Sequence, residues 1–238
     1  MVVVRMTGIE TDARIVLAEG ITKFFTDIVI NKKIPLTINR QKILSRLADI
    51  NSKIMALKWS YIAHDQLTHS KGLREIEIYA KEIFDSFPEK WEERLLTRGL
   101  EGKKEIATLV FIRDFFYTMR ERLTKGYSDD LTEAIDYYAG EIISIESIDK
   151  KNSKCVVTDG HGRYNVVTNI VGLKKGDLLP IAKLLPRVVH GVFSEGMFMG
   201  SGEGLGFTKD DIGKRPNLTD KELGQARGIL EQTFLSKK

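Results

Sequence analysis

Residues 190–200 read HGVFSEGMFMG, a run in which glycines alternate with large apolar side chains around one serine and one glutamate. Glycine suits strand positions where two backbones approach each other or where a strand bulges, and the large side chains can then fill an interior. Together with VVTN at residues 166–169, the run predicts a bent strand at the rim of a small β-barrel.

The neighbouring sequence predicts further strands. Residues 141–148 alternate apolar and polar side chains, as a half-buried strand does. Residues 155–158 and 164–168 flank the turn sequence DGHG and predict a hairpin. Residues 177–184 predict another strand, in which Pro180 favours a sheet edge or a bulge. Short strands joined in this way indicate a five-stranded OB barrel, with a β-sandwich as the competing fold.

Upstream of about residue 126, apolar side chains recur every three or four residues, which predicts helices. These helices are expected at residues 13–33, 39–69 and 73–87, just after Pro88, and at 106–123. The 39–69 helix has the clearest period, an a/d seam that His64 continues and that consists of Ile43, Leu47, Ile50, Ile54, Leu57 and Tyr61. Gly72 is predicted to end this helix, and Gly99 and Gly102 to bracket a turn.

The predicted fold class is α+β and multidomain. An N-terminal all-α helical bundle over residues 1–130 precedes a five-stranded OB-fold β-barrel with a C-terminal helix over residues 131–238. Pro216 and a capping box from Thr219 to Glu222 predict the start of that last helix. The a/d seam offers either packing within the bundle or a homodimer contact. We favour the bundle, because the seam is short and the neighbouring helices have apolar faces to cover.

The charge balance is compatible with a polyanion as partner but does not require one. The chain has a net charge of +4 at pH 7. Residues 136–238 carry 15 Lys and Arg against 13 Asp and Glu, so that half is not strongly basic. Residues 32–58 carry seven basic residues against Asp49 alone. Such a block is either a solvated helix face or a surface that contacts phosphates, and the sequence leaves both open.

The sequence offers little for catalysis or metal binding. The lone Cys155 excludes an internal disulfide and lies in a β-like run, which predicts a buried, unreactive thiol. The four histidines lack the spacing and cysteine partners of a zinc site. Ser194 is not in a nucleophile elbow, and Glu195 beside it is expected to face the other way. We expect no enzyme activity, no cofactor, no metal, no secretory leader and no membrane partner, in a cytoplasmic protein.

Residues 137–205 resemble the tRNA-binding OB-fold family. This family is appended to methionyl- and tyrosyl-tRNA synthetases and also occurs as stand-alone tRNA-binding proteins. The matching residues are Thr168–Asn169, Gly176–Asp177, Pro180–Ala182, Gly191–Val192 and Ser194–Met197. One departure is His190, where many members have arginine or lysine, and a neutral imidazole there is a weaker phosphate contact.

The resemblance implies a set of tRNA-contacting residues. Asn169 would read a base edge or a sugar, Ser194 with its neighbour Glu195 would supply polar contacts, and Met197 an apolar one. Phosphate contacts would come from Lys174, Lys175, Lys183 and Arg187. Other roles remain open: Asn169 closing a turn, Met197 in the core and the 174–177 segment as a solvated turn. Because the barrel half is nearly neutral, Lys42, Arg46 and Lys53 of the basic helix are expected to complete the RNA surface.

The resemblance therefore implies a non-catalytic tRNA-binding protein that recognises tRNA by shape and backbone and aids an aminoacyl-tRNA synthetase or tRNA handling. Small members of the family act as homodimers. The alternative is a protein-binding adaptor or chaperone, since secretion-chaperone relatives share the barrel and the motif. That alternative requires exposed apolar contacts at Phe193, Phe198 and Phe207.

Overall fold

The computed structural model describes residues 8–60, 62–200, 202 and 205–235. A helical region precedes a five-stranded antiparallel sheet and a C-terminal helix, which confirms the predicted α+β class. The chain forms two compact units. The helical unit contains the described residues up to Thr97, Leu109–Ala134 and the residues from Leu230, and the sheet unit contains Arg98–Thr108 and Ile135–Ile229. The predicted domain boundary after residue 130 stays a prediction.

Polar side chains cap the N-terminal ends of the three longer helices before α6. They are α1 (Ala13–Ile30), α2 (Arg40–Lys58), α3 (His64–Leu67), α4 (Lys71–Asp85), α5 (Trp91–Leu96) and α6 (Gly99–Leu123), after a short 3₁₀ turn at Ile9–Thr11. The side chains of Asp12, Asn39 and Ser70 each accept a backbone N–H from the first turn of α1, α2 and α4. These bonds satisfy donors that have no partner within the helix.

Three sequence predictions about these helices are wrong. The 39–69 helix is divided, because α2 ends at Lys58 and α3 begins at His64. Gly72 does not end a helix but lies in the first turn of α4, where the preceding Ser70 caps the helix. Gly99 and Gly102 do not bracket a turn, since α6 already begins at Gly99.

The a/d seam packs inside the helical unit. The side chains of its described members on α2 are at most 5% exposed; these are Ile43, Leu47, Ile50, Ile54 and Leu57. α2 packs mainly against α1 and α4. This burial confirms packing within the bundle as the use of the seam. Tyr61 lies outside the described residues.

His64 belongs to a buried polar cluster at the start of α1 rather than to the seam. Asp12 and Arg14 are 0% and 1% exposed and form an ion pair with a 2.6 Å distance from guanidinium nitrogen to carboxylate oxygen. The Nε2 atom of His64 lies 3.2 Å from the same carboxylate. Arg14 also donates to the Gly126 carbonyl. Both charges are thus paired and hydrogen-bonded, as buried charges must be.

The sheet has five strands in the order β3-β2-β1-β4-β5. Their bounds are β1 (Tyr137–Ser147), β2 (Ser153–Thr158), β3 (Arg163–Thr168), β4 (Leu178–Val189) and β5 (Val192–Phe198). The core of the sheet unit contains Ile142, Cys155, Val157, Val166, Leu179, Ile181 and Phe198. The inward positions alternate along β2 and β3, as the sequence pattern predicts.

Glycines in the 190–200 run meet the backbone demands that the sequence indicates. His190 and Gly191 form the two-residue turn between β4 and β5, with φ of +50° and +74°. Positive φ at both positions is typical of the tightest hairpin turns, whose twist matches that of the strands. At Gly196 a Cβ atom would collide with the carbonyl oxygen of Ala182 on β4. Only glycine therefore fits at that point without moving β4.

Pro180 lies in β4, which pairs with both β1 and β5, and its register partner is Ala139 of β1. The prediction that it marks a sheet edge or a bulge is wrong. The register of the β4–β5 pairing shifts instead between Lys183 and Arg187. The Pro180 carbonyl still accepts a hydrogen bond from the Met199 N–H, so the missing proline N–H does not end the pairing.

Backbone pairing leaves β3 and β5 as the two edges of the sheet, but side chains bridge them. The Ser194 hydroxyl accepts the Val167 N–H at 3.0 Å. The Glu195 carboxylate accepts the Asn165 N–H at 3.1 Å. We call this contact the seam between β3 and β5. Although Ser194 and Glu195 are adjacent on β5, both side chains reach β3.

The C-terminal helix is α7 (Asp220–Leu230), followed by one π-helical turn at Glu231–Leu235. The predicted capping box is confirmed, since the Glu222 carboxylate accepts both the N–H and the hydroxyl of Thr219 at 2.7 Å. In the part of the chain that the structure describes, the helices are too short or too polar to cross a lipid bilayer.

Candidate nucleic-acid interface

A groove of about 360 Å³ opens in the sheet unit where β3 ends. It contains two of the predicted site residues, Asn169 and Met197. Its other lining residues are Asn152, Val167, Thr168, Ile170, Val189, Phe198, Gly200 and Gln225. The groove therefore joins the ends of β3, β4 and β5 with the β1–β2 loop and one side chain of α7.

The polar lining of this groove consists of neutral groups. Asn169 and Gln225 are both exposed. Neither side-chain amide has a hydrogen-bond partner within the described residues. The Thr168 hydroxyl accepts the Ile170 N–H. Two amides are thus available to a ligand, each with a donor and an acceptor.

Two loops lie against each other beside the groove. The side-chain NH₂ of Asn152, in the β1–β2 loop, lies 3.3 Å from the Nε2 atom of His190 in the β4–β5 turn. The same NH₂ donates to both carboxylate oxygens of Asp149, at 3.0 and 2.9 Å. Hydrogen bonds from Asn152 and from the Lys151 N–H hold the pKa of Asp149 below its ordinary value. The β1–β2 loop is therefore ordered by its own polar contacts.

Three predicted phosphate contacts are exposed on segments that also line the groove. Lys174 and Lys175 belong to the 169–177 loop that Asn169 begins, and both are exposed. Arg187 is exposed on β4, two residues before Val189, so it projects on the same side of the strand. The predicted turn at 174–177 is also present, because the Asp177 carboxylate accepts the Lys174 N–H at 2.6 Å.

Other predicted contacts are occupied within the protein. Ser194 is 6% exposed, and its hydroxyl also donates to the Gly196 carbonyl. Both of its hydrogen bonds are therefore made within the sheet, at the seam between β3 and β5. Glu195 bridges the same seam. Met197 is 8% exposed, which fits both the predicted core position and the groove lining.

Lys183 is placed where its charge is already used. Its ammonium lies 4.1 Å from the ring centre of Tyr164 and 4.8 Å from that of Tyr138. It also lies 3.4 Å from the Asp159 carboxylate. Burial raises the pKa of Asp159, but hydrogen bonds from the Gly162 and His161 N–H groups, together with the charge of Lys183, outweigh it and lower the pKa. These contacts oppose the predicted role of Lys183 as a phosphate contact.

Comparison with known families concerns the other half of the chain. A family model described as an alpha helical domain matches residues 6–126, a little more than half of the sequence. The chain belongs to this alpha helical domain family. The matched range ends before β1 and so covers none of the groove. No curated protein matches the chain.

Within the alpha helical domain, Arg46 and Lys53 of α2 are paired with acids from another helix. Arg46 lies 2.6 Å from the Glu82 carboxylate and over the ring of Tyr79. Lys53 lies 2.7 Å from the Glu75 carboxylate. Lys42 is exposed. The count of charges along residues 32–58 therefore overstates the positive charge that α2 can offer to a phosphate.

The alternative protein-binding surface is not formed as predicted. Phe193 and Phe198 are 7% and 4% exposed, so they belong to the interior of the sheet unit rather than to an apolar contact surface. Phe207 is half-buried. The expectation of exposed rings at Phe193 and Phe198 is wrong because both rings are buried.

A second concave region of about 450 Å³ lies elsewhere on the sheet unit. Its lining mixes the opposite charges of Glu146, Lys154 and Lys103, and it contains none of the predicted tRNA contacts. In the described part of the chain, no three side chains of His, Cys, Asp or Glu gather closely enough to share a metal ion. The groove at the end of β3 is therefore the better candidate for a binding site.

Proposed function

We propose that the chain is a non-catalytic RNA-binding protein that binds tRNA through the groove at the end of β3, in the manner of the tRNA-binding OB-fold family that residues 137–205 resemble. One observation carries the proposal. The groove brings Asn169 and Met197 together on segments that also carry the exposed cations Lys174, Lys175 and Arg187.

The sheet architecture supports this proposal. An OB fold is a partly open, five-stranded barrel that binds nucleic acid with the β2–β3 face and the loops between β1 and β2 and between β4 and β5. The strand order and the side-chain seam between β3 and β5 are compatible with such a partly open barrel. The contact between Asn152 and His190 places the two corresponding loops side by side.

The cations near the groove are available to phosphates. Lys174, Lys175 and Arg187 form no ion pair within the described residues, in contrast to Lys183, Arg46 and Lys53. Each phosphate that a cation neutralises releases a counterion, so binding weakens as salt rises. Three such contacts imply modest affinity and a shallow salt dependence, as expected for a protein that assists tRNA handling beside a synthetase. A homodimer would double these contacts.

The test is filter binding of total tRNA to the full chain at two salt concentrations. K174E/K175E removes the two lysines of the loop, and K81E/K125E is the matched control, because Lys81 and Lys125 are exposed lysines of the helical unit without ion pairs in the described residues. The slope of log Kobs against log salt should become shallower by about 1.4–1.8 in the loop variant, at about 0.7–0.9 for each lost phosphate contact. The control should keep the slope.

Two results would overturn the proposal. One is failure of the wild-type chain to retain tRNA even at the lower salt. The other is an equal change of slope in both variants, which would show that only the overall charge matters and not the groove.

A further inference from the structure

We infer that the groove at the end of β3 holds one unpaired adenine base of the bound RNA and that Gln225 of α7 reads it together with Asn169. This inference rests on the proposed function and deepens it. Gln225 lies outside the 137–205 span of the family resemblance, so the resemblance assigns it no role.

The composition of the groove favours a neutral, flat group over a phosphate. Its apolar lining comes from the side chains of Val167, Ile170, Val189, Met197 and Phe198. No lysine, arginine, aspartate or glutamate is among its described lining residues. A phosphate in such a site would lose water without gaining a countercharge. A base can instead place its faces against apolar side chains and its edge against polar ones.

An acidic neighbour strengthens the argument against a phosphate. A Cβ atom at Gly200, which lines the groove, would lie 3.3 Å from the Cγ atom of Glu222. Hydrogen bonds from Thr219 lower the pKa of Glu222, so its carboxylate is charged near neutral pH. Phosphates should therefore lie toward Lys174, Lys175 and Arg187, with the base turned into the groove.

The two available amides match the edge of adenine. Adenine presents N7 as acceptor and the N6 amino group as donor, and asparagine or glutamine can bond both at once. Asn169 and Gln225 have such amides without partners in the described residues. Asn152 is not equivalent, because its NH₂ group already donates to Asp149. Unpaired bases alone leave this edge and both faces accessible in RNA.

The position of Gln225 is fixed by the helix that carries it. Thr219 and Glu222 cap the start of α7, and Leu223 and Ala226 on either side of Gln225 are 8% and 0% exposed. A reading group on a packed helix is held more precisely than one on a loop. The 169–177 loop then supplies the second amide and the phosphate contacts.

The experiment measures fluorescence anisotropy of labelled A12 and U12 oligonucleotides, and of an A12·U12 duplex, with the full chain. The wild type should prefer A12 to U12 by about 5- to 150-fold, the range of one good bidentate contact. The wild type should not bind the A12·U12 duplex more tightly than U12, because its adenines are paired. Q225A should lose most of the preference for A12, whereas Q232A, at an exposed glutamine outside the groove, should keep it.

Binding of total tRNA by the same proteins distinguishes failure of the adenine site from failure of the proposed tRNA-binding function. Retained tRNA binding with no preference for A12, or a preference that Q225A leaves intact, would overturn the inference and leave the proposed function standing. Loss of all RNA binding by the wild type would overturn both. Circular dichroism of Q225A and Q232A checks that α7 is retained, which alanine should favour over glutamine in a helix.

Discussion

Replacement of Ser194 by alanine should loosen the seam between β3 and β5 without changing the groove. The Ser194 hydroxyl accepts the Val167 N–H at 3.0 Å and donates to the Gly196 carbonyl at 3.0 Å. Ser194 is 6% exposed, so water can replace these bonds only poorly. Alanine removes the hydroxyl and leaves the Val167 N–H without its partner.

The size of the effect follows from the cost of an unsatisfied polar group. Leaving a buried donor unpaired costs about 1–3 kcal/mol. We expect about 2 kcal/mol here, because one donor loses its partner while the carbonyl of Gly196 keeps a second lone pair for water. For a unit of roughly 100 residues, that loss corresponds to a decrease in Tm of about 8–16 °C.

Hydrogen exchange followed by mass spectrometry measures the change where it occurs. Amide exchange in peptides covering Arg163–Thr168 should be about 30-fold faster in S194A, because each 1.4 kcal/mol is a factor of ten. The control is S144A, since Ser144 is exposed on β1 and has no hydrogen-bond partner in the described residues. The affinity of the folded variant for tRNA should not change.

The opposite pattern would refute this reasoning. If S194A keeps the protection of β3 and loses affinity for tRNA, Ser194 contacts RNA, as the family resemblance implies, and the seam does not depend on it. If both protection and affinity fall, the affinity has to be remeasured at a temperature where the variant is fully folded before Ser194 is assigned to the seam.

Three further outcomes are expected. G191A should destabilise the sheet unit by about 1 kcal/mol because Gly191 has a φ of +74°. G224A should stabilise it by about 0.5–1 kcal/mol, because a Cβ atom at that helical glycine meets no other atom within 4 Å. The denaturant midpoints of the two variants should therefore move in opposite directions. N152A should raise the pKa of Asp149 toward its ordinary value of 3.8, as measured by a carboxyl NMR titration. Because the pKa of Asp149 is lower in the folded chain than in the unfolded chain, its stabilising effect is present above about pH 4 and disappears as the pH falls through the folded pKa. An unchanged titration would contradict the role of Asn152. Burial raises the pKa of the Cys155 thiol to about 11, so the native chain should react with a thiol reagent at pH 8 far more slowly than the unfolded chain, and equal rates would contradict its burial.

Local sequence patterns account for the parts of the fold that depend on neighbouring residues. The alternation of side chains predicts β1, β2 and β3 because the inward face of a strand is set by a period of two. The DGHG turn and the capping box at Thr219 specify their conformations within four residues. The burial of the α2 seam follows equally from the spacing of its apolar side chains.

Contacts between distant segments account for the differences. Arg46 and Lys53 look unpaired in a linear count because Glu82 and Glu75 lie on another helix. Ser194 looks available for RNA because its partner, Val167, is 27 residues away. A sequence pattern does not show which side chain meets which backbone group at such separations.

The candidate site also contains residues that the sequence predicts and one that it does not. Asn169 and Met197 are predicted from the motif and lie together in the groove. Gln225 is missed, because it lies beyond the resembling span and no pattern within α7 distinguishes it from a surface glutamine. Only the position of α7 beside Gly200 gives it a place in the groove.

The bridges from Ser194 and Glu195 also affect how the molecule behaves toward its own copies. An edge strand with unpaired N–H groups can add a strand from another chain and so begin aggregation. In β3, the N–H groups of Asn165 and Val167 are already occupied by side chains of the same molecule. These two polar side chains, together with β5 that carries them against β3, thus protect this edge from intermolecular strand addition.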